Sequence, residues 1–141
     1  MNEQIRYAHG FSLAEILLSI TVLGVIIALA LPNYTFMIDK TNAREAVQIL
    51  DALRKAQISF RNENSTYATN VSNLDVTIPA SVNFIIFGIY NDPLRLARVD
   101  RNNGTYYFEI AKDGTIACTA TSGTLCQRLG CPLSGGVNKC N

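Results

Sequence analysis

From Phe11 to Leu31 the chain reads FSLAEILLSITVLGVIIALAL, 21 residues in which Glu15 is the sole formal charge. At 1.5 Å per residue a helix of this length spans roughly the 30 Å hydrocarbon core of a bilayer. The hydroxyls of Ser12, Ser19 and Thr21 do not oppose that reading, because each can bond to a carbonyl one turn back. Gly24 and Pro32 suit a membrane helix better than a soluble one. Glu15 is the exception that needs compensation, since an acid inside such a helix costs on the order of 2.5–3.5 kcal/mol, less near an end. The first-turn position also places it favourably in the helix macrodipole.

The whole chain has 141 residues, enough for one core and too few for two. Lys+Arg 12 against Asp+Glu 11 leaves a net charge of +1, which excludes the basic field of a general nucleic-acid binder. The one histidine, His9, lies before the apolar run. Downstream of it the chain lacks the commonest general base and metal ligand, so hydrolase and zinc-enzyme readings weaken. No enzymatic activity and no cofactor are expected.

Three kinds of processing compete. An uncleaved anchor would keep MNEQIRYAHG, in which Arg6 stands beside Glu3 as a barely basic flank. A secretory signal peptide would be cut after Ala30, at the small-x-small pattern Ala28-Leu29-Ala30, and would release a secreted binding module. Its apolar run would exceed the usual ~7–15 residues and would contain Glu15.

The third kind rests on the string Gly10-Phe11-Ser12-Leu13-Ala14-Glu15, followed by the apolar run to Leu31-Pro32-Asn33-Tyr34. It resembles the class III signal of type IV pilins and of the related type II secretion pseudopilins. In that family the leader ends at a glycine, the next residue is an N-methylated phenylalanine, and the fifth mature residue is glutamate. Counted from Phe11, Glu15 is fifth, and Gly24, Pro32 and Tyr34 fall at the family's glycine, proline and tyrosine. Met37 stands where many members carry a second tyrosine.

The resemblance implies cleavage between Gly10 and Phe11 by a prepilin peptidase and methyltransferase, with loss of residues 1–10 and methylation of the Phe11 amine. Glu15 would then serve assembly by meeting the Phe11 amine of a neighbouring subunit. An acid and an amine attract strongly in a low dielectric, and either is costly unpaired. Gly24 and Pro32 would bracket a stretch where the helix can loosen, or simply kink at the membrane exit. The implied partners are other pilins, homo- or hetero-oligomeric through this helix, together with an inner-membrane assembly platform. The implied location is the bacterial inner membrane, single-pass with the head in the periplasm, and then an extracellular pilus, or a periplasmic filament for a pseudopilin.

The fold class expected is α+β: a long N-terminal helix packed on a small antiparallel sheet, with a disulfide-bonded tail. Residues 11–34 form the transmembrane and filament-core helix, and 35–141 the head. Within the head an amphipathic stripe of Ala43, Ala46, Val47, Leu50, Leu53, Gln57 and Phe60 runs to about Arg61. A polar loop occupies 62–81. About four strands follow over 82–120, with turns at Asn91-Asp92-Pro93, Asp100-Arg101-Asn102-Asn103-Gly104 and Lys112-Asp113-Gly114. Apolar residues fill nearly every position from Val82 to Tyr90, which reads as a central strand buried on both faces in preference to an exposed row of Asn83, Ile85, Phe87 and Ile89.

Cys118, Cys126, Cys131 and Cys140 all lie in the tail 118–141, in a Gly/Ser/Thr-rich stretch too poor in apolar residues to hold itself. An even count beyond a membrane anchor implies two disulfides in an oxidising compartment. Shortest closure favours Cys118–Cys126 with Cys131–Cys140; Cys118–Cys140 with Cys126–Cys131 stands second. Zinc is disfavoured because no C-x₂-C spacing occurs. Asp92, Asp100 and Asp113, which invite comparison with the calcium sites of secretion pseudopilins, fall in separate turns and read as turn residues. Arg95, Arg98 and Arg101 alternate faces along a strand and make no basic stripe.

Overall fold

The computed structural model describes residues 12–78 and 80–140, leaving aside the side chains of 30–33, 35 and 36. The chain divides into two compact units, Met1–Met37 and Ile38–Asn141. One helix, α1 (Leu13–Asn64, 52 residues), contributes to both and runs through Gly24 and Pro32 without a break. It continues three residues past Arg61, and Ser65, at φ 61°, ends it in the left-handed region.

In the second unit the head is built on one face of α1. Ala46, Leu50, Leu53 and Gln57 are fully buried, with Ala43 and Ile49 nearly so. Their i, i+3, i+4 spacing makes one stripe, and each fully buried leucine contributes about 1.5–3 kcal/mol. The stripe is covered by strands β1 (Phe84–Ile89), β2 (Ala97–Arg101), β3 (Tyr106–Ile110) and β4 (Ile116–Ala120), joined as an antiparallel meander. Alternation sends Ala97 and Val99 inward from β2, Tyr106, Phe108 and Ile110 from β3, and Ile116 and Cys118 from β4. Phe84, Tyr106 and Phe108 meet edge-on or tilted, with centroids 5.4–6.3 Å apart.

The sheet has six strands, not four. After β4 the chain makes a short helix α2 (Leu125–Arg128) and a hairpin, β5 (Leu133–Ser134) and β6 (Val137–Cys140); the full order is β1-β2-β3-β4-β6-β5. The hairpin turn uses Gly135 and Gly136, both at positive φ. Too few apolar residues mark these strands for sequence patterning to find them; register with β4 and the bridges described below hold them.

The reading of Val82–Tyr90 as a doubly buried central strand is corrected. β1 is an edge strand, and Ile85 and Phe87 are 54% and 60% exposed. The register shifts between Ile86 and Gly88, so one extra residue is inserted at Phe87. That bulge turns Ile89 into the core and breaks the row in which alternation alone would place it.

The segment between helix and sheet is tied down by a buried amide. Gln57 donates from Nε2 to the Ala68 carbonyl (2.9 Å) and accepts at Oε1 from the Ala68 N–H (2.8 Å). Asn91 Oδ1 accepts from the Tyr67 N–H at 3.2 Å, and Arg61 reaches the Tyr67 hydroxyl at 2.9 Å.

Candidate functional site

In the first unit α1 has no core-facing side. From Leu13 to Leu29 every large apolar side chain is at least half exposed. Consecutive positions such as Ile16, Leu17, Leu18 and Ile20 point in all directions around the axis, so the surface is an apolar cylinder and not a stripe. Two of its hydroxyls are satisfied within the helix: Ser19 Oγ donates to the Glu15 carbonyl and Thr21 Oγ1 to the Leu18 carbonyl, both at 2.8 Å. Ser12 takes part through its backbone, its carbonyl accepting from the N–H groups of Glu15 (3.0 Å) and Ile16 (3.3 Å). Among the described residues no helix is long and apolar enough to cross a membrane. The described part of the run excludes Phe11 and the side chains of Ala30 and Leu31.

Glu15 sits exposed in the first turn of α1 and is the one acid in this cylinder. Gly10 and Phe11 lie outside the described residues. A Cβ built on Gly24 meets no atom within 4 Å. Glycine there costs the helix about 0.5–1 kcal/mol relative to alanine, with no steric need for it among the described residues.

The head ends in two staples. Cys118 of β4 is bonded to Cys126 of α2, and Cys131 to Cys140 of β6, with Cα separations of 5.8 and 4.0 Å. This is the pairing of shortest closure. Cys118, Cys126 and Cys131 are buried, so the bridges act as core where the tail has little other. The second borders a cleft of about 290 Å³ floored by Ala43, Val47, Phe108 and Leu129, with Lys40 and Arg44 at its mouth. Patterning could not find this cleft, because one wall belongs to the tail.

The three aspartates are engaged separately. Asp92 Oδ1 accepts from the Leu94 N–H, and Asp113 Oδ1 from the Thr115 N–H. That backbone bond, with the Thr115 hydroxyl, lowers the Asp113 pKa below the usual carboxylate value. Asp100 takes Arg98 through both carboxylate oxygens at 2.6 and 2.7 Å, which raises the arginine's pKa. Among the described residues no group of three His, Cys, Asp or Glu could hold a metal ion. The three arginines are likewise dispersed. Arg98 stacks on Phe87 and Tyr107 on the outer sheet face, Arg95 covers Tyr90, and Arg101 reaches Asp39 and the Phe84 ring on the helix side.

The first unit is thus a helix apolar all round with one acid in its first turn, and the second a small head closed by two disulfides. Residues 5–31 match the family model of the prokaryotic N-terminal methylation motif. The N-terminus is thus a prepilin-type segment, and the chain's relatives are type IV pilins and type II secretion core proteins. Type IV wide pilus major component PilA4 of Thermus thermophilus is 27% identical over 90% of this chain and 99% of its own length. Type II secretion system core protein G of Aeromonas hydrophila is 31% identical over 53% of this chain, and the chain spans about half that relative's length (52%). Type IV major pilin protein PilA of Myxococcus xanthus is 34% identical over 43% of this chain and 27% of its own. No solved structure matches.

Proposed function

We propose that the chain is a structural subunit, without catalytic activity of its own, of a bacterial type IV pilus, held in the inner membrane by residues 11–34 before assembly. The observation that carries this is the apolar cylinder of α1, whose large apolar side chains from Leu13 to Leu29 are at least half exposed among the described residues, a surface that lipid or other subunits would cover. Cleavage after Gly10 by a prepilin peptidase leaves that cylinder on the mature protein and creates the Phe11 amine, which the same enzyme methylates. Methylation keeps the charge and reduces its hydration. Glu15 then pairs with the Phe11 amine of a neighbour, and the pair sets register, because either charge left alone in an apolar filament core is costly. Gly24, unexplained by packing within the chain, supports a stretch between Gly24 and Pro32 that loosens as the helix leaves the bilayer.

The similarity to core protein G favours a second reading, a pseudopilin of a type II secretion system that builds a short periplasmic filament. Shearing cells and assaying the released material for this chain separates the two: long surface filaments are expected for a pilin, and retention in the periplasm for a pseudopilin. Co-expressing Glu15→Val with wild type tests the assembly role. The variant should insert in the membrane at least as well as wild type and be depleted from filaments; equal incorporation would sink the register role of Glu15.

A further inference from the structure

Two exposed surfaces of the head carry unpaired charge of opposite sign. The first is the 290 Å³ cleft, where Lys40 and Arg44 stand one turn apart over an apolar floor. Both are exposed, and neither has an ion pair among the described residues. The second lies at the far end of the same helix, where a hollow of about 180 Å³ is lined by Phe60, Glu63 and Asp75 and by no cation. Glu63 and Asp75 are exposed and also lack an ion pair among the described residues. Cations and acids therefore sit on one molecule where they cannot reach each other. From Arg44 or Lys40 to Glu63 the helix rises about 28–35 Å, and at roughly 100° per residue the side chains leave it about 100–140° apart.

We propose that the Lys40–Arg44 cleft of one subunit receives the Glu63–Asp75 surface of a second copy of this chain. The contact rests on the filament reading above and gives it a head-to-head interface. It is heterologous, joining two different patches, so it propagates and does not close on itself as a two-fold dimer does. The two patches are displaced along the helix and are not diametrically opposed, so each copy must both climb and turn relative to the last. Repetition of that step is a screw, which is the symmetry of a filament. The Cys131–Cys140 bridge, as part of the cleft wall, holds the receiving side in shape.

The test uses the full-length chain in cells that assemble it. Lys40→Glu with Arg44→Glu, and separately Glu63→Lys with Asp75→Lys, should each cut sheared-filament yield by roughly tenfold or more, because like charges then face each other. Combining all four substitutions should return at least about half of the wild-type yield, since opposite charges again face each other. Wild-type filaments treated with a zero-length carbodiimide should give a Lys40 cross-link to Glu63 or Asp75. That link can form only between chains, because α1 holds Lys40 and Glu63 about 34 Å apart within one and Asp75 shares the hollow of Glu63. The inference is overturned if both charge-reversed pairs assemble normally, if the fourfold variant is no better than either pair, or if wild-type filaments lack the cross-link. Absence of filaments from wild type would remove the filament reading and this contact together, whereas filaments without the cross-link would remove the contact alone.

Discussion

Replacing Gln57 by leucine should destabilise the head more than any surface change, although leucine is more apolar and of similar size. Gln57 is 0% exposed, and its amide makes both of its hydrogen bonds to the buried backbone of Ala68. Leucine would leave the Ala68 N–H and C=O without partners, at about 1–3 kcal/mol each. Its added apolar burial offsets roughly 1 kcal/mol of that. The net loss is then about 1–5 kcal/mol, a large share of the ~5–15 kcal/mol of an ordinary domain. At ~4–8 °C per kcal/mol for a head of this size, thermal unfolding of the detergent-solubilised chain should fall by roughly 4–40 °C. Cleavage of the 65–81 segment by protease should begin first. Gln57→Glu adds a sharper check. Its neutral acid can both donate to the Ala68 carbonyl and accept from the N–H, whereas its carboxylate can only accept. Burial raises the folded-state pKa of that acid above its unfolded value near ~4.3. The variant should therefore come closest to wild type below about pH 4 and lose stability as pH rises through the raised pKa. If Gln57→Leu unfolds within about 0.5 kcal/mol of wild type, the amide is not the latch described here.

Further outcomes follow from the same coordinates. Cys118→Ser and Cys126→Ser should each cost about 2–4 kcal/mol, and the double variant should match either single, as checked by urea unfolding of the oxidised proteins. Tyr106 is 3% exposed, its hydroxyl has no hydrogen-bond partner among the described residues, and burial raises its pKa. Stability from that group is full below its unfolded pKa near ~10 and is lost as pH rises through the folded value, so Tyr106→Phe should unfold less readily than wild type above pH ~10 and no more readily at pH 7. Arg98→Ala removes a guanidinium held by Asp100 and stacked 3.6 Å from the Tyr107 centroid. A loss of about 1–2 kcal/mol in denaturant titration is expected, with only partial recovery in Arg98→Lys, whose ammonium cannot make the planar two-point contact.

What patterning made legible was whatever repeats with a fixed period or a fixed spacing. The apolar run, the stripe through Leu50 and Leu53, the four-strand meander and the closest cysteine pairs are all local regularities of that kind. Gln57 falls on the buried stripe by its spacing, but its partner Ala68 lies beyond the helix, and no local rule points from one to the other. Phe87 escaped because a bulge has no period. With one residue added to β1, Ile89 and Ile85 part company, and a run that reads as doubly buried becomes an edge. The β5–β6 hairpin escaped for a different reason. Its strands are short and largely exposed, and they are held by pairing with β4 and by Cys131–Cys140 in place of apolar burial. The Lys40–Arg44 cleft inherits that blindness, since half of it is made by the tail.

Retention of α1 on the mature protein, with processing at its cytoplasmic edge, is read from the mass and N-terminal sequence of the mature chain. That chain is expected to begin at Phe11, to carry one added methyl group on its amine and to retain both disulfides. A chain that begins at Leu31, freed of the apolar cylinder by cleavage after Ala30, would contradict it.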